Sequence, residues 1–235
     1  MSDFDITKKI KEFAFTNSNM IKGEPKGIVL RLRGLTLDIP LLELVREGRR
    51  YAKEQMLFIY PYTAPWSWMN DETVELIDTV LEVYCGDRTI PIVAYGHSLG
   101  GYGAITYSVK GKYPISACVA VCPICDLTYH STEHSGTLVS MYYAYRHNKG
   151  TLEDIMFRQS PINFVSDLPY IPYLVIYCMK DKQVNSEKHV VPFIEKCIRF
   201  GLNVITIAEE GAHCELSSET ESEIFHFICE NGIKE

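Results

Sequence analysis

Apolar residues come in short continuous runs, separated by stretches whose apolar positions fall at helical spacing. The runs are strand-sized: Ile28 to Leu32, Met56 to Tyr60, Ile92 to Tyr95, Ile115 to Val121, Leu174 to Cys178 and Val204 to Ile207. Between the first two, Leu41, Leu42, Val45 and Ala52 fall near helical spacing. Asp38 is the expected cap of that helix, and Pro40 lies in the first turn, where its missing N–H costs little. Asn70-Asp71-Glu72 opens a second helix with Val74, Ile77, Leu81 and Tyr84 on one face. Gly100 to Lys110 reads as a helix ended by Gly111 and Pro114, Ser186 to Phe200 as one ended by Gly201, and Leu216 to Glu230 as the last. Runs that are apolar at successive rather than alternate positions belong to strands covered on both faces. Their alternation with helices predicts a mostly parallel sheet flanked by helical layers.

Two segments break the rhythm. Residues 1–27 are expected to supply one or two edge strands. Residues 128–170, rich in Tyr, His, Ser and Met, are too long for a plain loop, which predicts an insertion with short helices of its own, expected to act as a small lid. With no internal repeat or low-complexity tract, residues 1–235 are expected to form one domain.

Composition narrows the function. Of 235 residues, 46% are hydrophobic and 23% charged, an ordinary globular balance that argues against disorder, collagen-like repeats and coiled coil. The formal charge is −7 without a basic run, which argues against nucleic acid or an anionic membrane as partner. No apolar stretch approaches the ~20 residues that span a bilayer, and the first residues lack the pattern of a secretory signal. Eight cysteines, with Cys118, Cys178 and Cys197 inside apolar runs, fit a reducing compartment, so a cytoplasmic location is expected.

The chemistry starts at Gly96-His97-Ser98-Leu99-Gly100. An apolar strand runs into this Gly-x-Ser-x-Gly and a helix of small residues leaves it, the setting of a nucleophile elbow. Glycines two residues either side of Ser98 remove the bulk that so tight a turn cannot hold. Ser98 Oγ would project from the carboxyl end of the strand, with the Leu99 N–H facing a developing oxyanion. A serine hydroxyl needs a base and a group to orient that base. Asp181, directly after a strand, and His213, after the last strand, supply them in the order serine, acid, histidine. Asp126, which also ends a strand, is the rival acid. A histidine base at its ordinary value would place the acid limb of the rate near pH 6–7.

Gly-His-Ser-Leu-Gly-Gly at 96–101, Ser160-Pro161, Asp181 with Val184, and Gly211-Ala212-His213 resemble the α/β-hydrolase superfamily. The resemblance is closest to its prolyl-oligopeptidase-like and small-esterase branch, with dienelactone-hydrolase relatives, and covers about residue 27 to the end. It implies the α/β-hydrolase fold, with Ser98 as nucleophile, Asp181 as orienter and His213 as base. Where such proteins often carry His-Gly after the first core strand, this chain has Arg33-Gly34, so the second oxyanion donor is placed at the Leu35 N–H. Many also have glycine three residues before the acid, where this chain has Cys178.

Other residues carry competing readings. Trp66 and Trp68 wall an acyl pocket or belong to the core, and Tyr142 and Tyr143 line a pocket or pack the insertion. His97 packs at the elbow, and Arg31 and Arg33 are more ordinary as solvated or paired cations. Cys122, Cys125, His130 and His134 have zinc-like spacing, but an apolar strand end and chance spacing favour a structural role and no bound metal. The expectation is a serine hydrolase that cleaves a small carboxylic ester and needs no metal or organic cofactor. A peptidase acting on short peptides and a catalytically silent binding protein are the alternatives.

Overall fold

In the computed structural model, which describes residues 6–35, 39–86 and 88–233, the apolar runs become strands: β1 Ala14–Thr16, β2 Gly27–Leu32, β3 Met56–Pro61, β4 Ile92–His97, β5 Ala117–Val121, β6 Tyr173–Cys178 and β7 Val204–Glu209. They form one sheet in the order β1-β3-β2-β4-β5-β6-β7. All neighbouring pairs are parallel except β1 with β3, where Ala14 faces Pro61. The N-terminal segment therefore supplies one short antiparallel edge strand among the described residues.

Strand residues divide between two cores by their period of two. Ile28, Leu30 and Leu32 of β2, with Cys118 and Ala120 of β5, pack on one face. Val29 of β2, with Ala117, Val119 and Val121 of β5, pack on the other. Helices α2 Asp71–Cys85, α3 Leu99–Lys110 and α7 Ser186–Arg199 cover the first face. Helices α1 Leu41–Lys53 and α8 Ser218–Gly232 cover the second. β7 departs from the expectation of burial on both faces. It is an edge strand, and Ile205 stays half exposed because nothing pairs beyond it in the described sheet.

Local signals mostly hold. Asn70 caps α2, its Oδ1 accepting the Thr73 N–H at 3.1 Å. Pro40 stands at the N-cap of α1 rather than inside its first turn, and Asp38 lies outside the described residues.

The segment between β5 and β6 folds into α4 Leu127–Glu133, α5 Ser135–Tyr145, α6 Leu152–Gln159 and two short 3₁₀ turns. It is fastened to the chain that follows β3. Trp68 Nε1–H donates to Ser140 Oγ at 2.9 Å, Asn70 Nδ2 donates to the Ala144 carbonyl at 3.1 Å, and Tyr145 donates to the Trp68 carbonyl. No helix among the described residues is long and apolar enough to cross a membrane.

Candidate active site

Sterics dictate the turn after β4. Ser98 sits at φ 56°, ψ −122°, a left-handed conformation that costs free energy in any residue with a Cβ. A Cβ on Gly96 would lie 2.1 Å from the carbonyl carbon and oxygen of Gly100, and one on Gly100 would lie 2.4 Å from the Leu32 carbonyl oxygen. The turn is clamped to both neighbouring strands: the Ser98 N–H donates to Val121 at 2.8 Å on β5, and Gly100 rides over the end of β2. Leu99 opens α3, where a helix leaves its first N–H groups without intrahelical partners.

Asp181 follows β6 in a tight loop. Its Oδ1 accepts the N–H groups of Gln183 at 2.8 Å and Val184 at 2.9 Å, which is what the Asp-x-x-Val spacing accomplishes. Its Oδ2 lies 2.6 Å from His213 Nδ1. Strand pairing sets that distance. β6 and β7 run in register to Cys178 and Glu209, and the loops beyond stay joined, Met179 N–H to the Glu209 carbonyl and Lys180 N–H to that of Gly211.

Electrostatics follow from the pairing. Burial opposes a charge on Asp181, but the His213 hydrogen bond and the two backbone N–H groups outweigh it and hold the carboxyl below its usual range. Burial would likewise push His213 down. The hydrogen bond to Asp181, with the neighbouring Cys122 thiol, prevails and raises His213 to about 9. An ordinary imidazole value near 6.5 is thus the wrong expectation for this histidine, because a carboxylate with a 1% exposed side chain faces it.

Ser98 and His213 line one cavity of about 760 Å³, together with Leu35, Trp66, Ile124 and Val184. No hydrogen bond joins Ser98 Oγ to His213 among the described residues, and such bonds often tighten only with substrate in place. Other candidates fall elsewhere. Trp68 is fully buried, its ring against Tyr102 and His130, so it belongs to the core. Tyr143 lines a neighbouring cleft that shares the Trp66 wall, and Tyr142 is exposed on α5. His97 accepts or donates at 2.7 Å with the Tyr95 hydroxyl, and burial, then Arg31 and His213, keep its value well below 6.5. Arg31 is buried over the Tyr95 ring and beside Glu47, and Arg33 donates to the Thr63 carbonyl at 2.9 Å. Asp126 caps α4 by accepting the Tyr129 N–H at 2.9 Å.

The Cys122, Cys125, His130 and His134 set does not assemble. Cys125 donates to the Pro123 carbonyl, whereas Cys122 lies with His213 and Cys214, their donor atoms within 4.8 Å of one another. His130, Glu133 and His189 form a second such group. Both nitrogens of that His189 are engaged: Nδ1 accepts the Asp126 N–H at 3.2 Å, so Nε2 carries the proton directed at Glu133, 2.9 Å away. A metal there would have to displace a backbone hydrogen bond. Cys214, Glu133 and the cavity position of His130 had no signal in the sequence, since helix α4 and the distant loop after β7 bring them together.

The model of the prolyl oligopeptidase family matches residues 73–225, more than half of the chain. No curated protein matches it in sequence. Solved structures share the fold. An acylaminoacyl peptidase of Pyrococcus horikoshii superposes with a TM-score of 0.65 at 13% identity, over 91% of this chain and 38% of that one. The chain thus spans only about two fifths of the acylaminoacyl peptidases it matches. Esterase B of Lactobacillus rhamnosis gives 0.66 at 10% identity, over 88% of this chain and 76% of that one. An S-formylglutathione hydrolase of Agrobacterium tumefaciens gives 0.63 at 18%, over 93% and 94%.

Proposed function

The chain belongs to the prolyl oligopeptidase family and is a serine hydrolase, and from that premise we propose that it hydrolyses a small carboxylic ester through Ser98, His213 and Asp181. The observation that carries this reading is the 2.6 Å Asp181–His213 pair on the wall of the cavity that receives Ser98 from a strained turn. His213 Nε2 takes the Ser98 proton as Oγ attacks the ester carbonyl. Asp181 holds the proton on Nδ1, which leaves the Nε2 lone pair for that task, and stabilises the imidazolium. The N–H groups of Leu99 and Leu35 hold the oxyanion. The imidazolium then gives its proton to the leaving alcohol, and the acyl group remains on Ser98. Water, deprotonated by His213, attacks the acyl-enzyme, and the departing Ser98 oxygen recovers the proton.

The whole of residues 1–235 is read as one domain, with 128–170 forming one side of the substrate cavity. Its helices α4 and α5 contribute His130, Glu133 and Thr137 to the lining. A short peptide substrate is the second reading, favoured by the family match. It uses the same groups, with the proton delivered to an amine. A fluorophosphonate probe tests the nucleophile: it is expected to label the native chain, and not Ser98→Ala. Labelling that survives in Ser98→Ala overturns the assignment. Ester and aminoacyl-amide substrates assayed side by side then separate the two readings.

A further inference from the structure

The insertion brings a carboxylate to the wall of the cavity. Glu133 is the last residue of α4, and its side chain is 16% exposed. No lysine or arginine lines the cavity among the described residues, and outside the Asp181–His213 pair Glu133 is the carboxylate facing it. Its Oε2 lies 2.9 Å from His189 Nε2 and 3.4 Å from His130 Nδ1. Among the described residues, Oε1 takes no part in these contacts or any other hydrogen bond. Two histidines thus fix the carboxylate in place and leave one of its oxygens free.

Neither histidine cancels its charge. The bond from the Asp126 N–H keeps His189 Nδ1 bare, so the ring holds a single proton and is neutral. Burial pushes both rings down, His130 to about 4 and His189 to about 4. His130 directs its Nδ1–H at the carboxylate, and its Nε2 is left as a buried acceptor without a partner. The position is also unfavourable for local structure, because a helix C-terminus repels an anion. A partly buried, oriented, unneutralised carboxylate on a substrate cavity lacks only a cationic ligand.

We propose that Glu133 forms an amine-binding subsite, so that the substrate cleaved at Ser98 carries an ammonium group. This deepens the hydrolase reading and rests on it. The ammonium donates to Glu133 Oε1 while the scissile carbonyl lies at Ser98. A substrate carboxylate in the same place meets like charge and an unpaired acceptor.

Three matched esters, neutral, ammonium-bearing and carboxylate-bearing, test the subsite. One set carries the charge in the acyl part and the other in the alcohol, which shows which side of the scissile bond Glu133 reads. The native chain is expected to favour the ammonium ester about tenfold or more in KM, the range of a hydrogen bond to a charged group. Salt should weaken the preference. Glu133→Gln keeps the size and an acceptor for His189 but removes the charge, and is expected to collapse the ammonium-to-neutral KM ratio toward one, with kcat less affected. If Glu133→Gln fails to fold, the native preference and its salt dependence still decide. Equal KM values for ammonium and neutral esters in the native chain overturn the subsite, as does a preference that persists in a folded Glu133→Gln. If no ester is turned over and no probe labels Ser98, the hydrolase reading itself fails.

Discussion

Replacing Asp181 by Asn removes one charge and leaves the shape. His213 stands at about 9 because the Asp181 carboxylate, 2.6 Å from Nδ1, outweighs the burial that would lower it. The base must be unprotonated to accept the Ser98 proton, so rate is lost as pH falls through that value, tenfold per pH unit below it. In Asp181→Asn burial and the Cys122 thiol remain and the carboxylate does not, so the His213 value should fall toward the ordinary 6.5. The acid limb of kcat/KM should then move from about 9 in the native chain down toward 6.5. After an allowance for solvent reaching the open edge of the ring, that corresponds to roughly 2–3 kcal/mol of lost imidazolium stabilisation. The amide also donates to Nδ1, which leaves the ring proton on Nε2 and removes the lone pair facing Ser98, so kcat should drop by about 10⁴-fold even where the ring is neutral. The assay is a pH–rate profile on a neutral activated ester between about pH 5 and 10, with Asp126→Asn as control. Asp126 caps α4 and its N–H binds His189, so its substitution should cost far less rate. An acid limb in the same place in native and Asp181→Asn chains refutes the reasoning, and a larger loss in Asp126→Asn transfers the role to that residue.

Two further outcomes follow from packing and burial. Gly96→Ala places a Cβ 2.1 Å from the Gly100 carbonyl and should cost about 3 kcal/mol or more in denaturant unfolding, whereas a change below about 1 kcal/mol would mean the elbow relaxes freely. His130 and His189 titrate at about 4 when folded and near the ordinary 6.5 when unfolded, so the unfolded chain binds these protons first as pH falls. Their contribution is fully present above pH 6.5 and is lost as pH drops toward about 4, together by a few kcal/mol; unfolding free energies equal at about pH 7.5 and 4.5 would show that these rings are not buried neutral.

The parallel sheet was legible because strands β2 to β6 are buried on both faces, which leaves largely unbroken apolar runs in the sequence, unlike the β1 and β7 edges. Ser98 was legible because its turn is a local steric problem: Gly96 and Gly100 must lack side chains for atoms a few residues apart to pass. The Asp181 loop was legible for the same reason, since Asp-x-x-Val is the span over which one carboxylate oxygen receives two backbone N–H groups.

Contacts between distant segments left no such mark. Trp68 reads equally well as a pocket wall or as core, and only its full burial against Tyr102 and His130, 34 and 62 residues away, decides for the core. The cysteine and histidine spacing near residues 122–134 was local, but β5 directs Cys122 toward His213 while α4 carries His130 toward His189. The elevated value of His213 depends on how β6 and β7 hold their loops together, and the charge of Glu133 matters only because the insertion folds it against the cavity of Ser98. The chain therefore specified what short-range sterics and burial can encode: the strands, the turn at Ser98 and the Asp181 loop. Only the tertiary structure set the protonation of His213 and the chemistry of the cavity wall, because both are sums of fields from groups far apart in sequence.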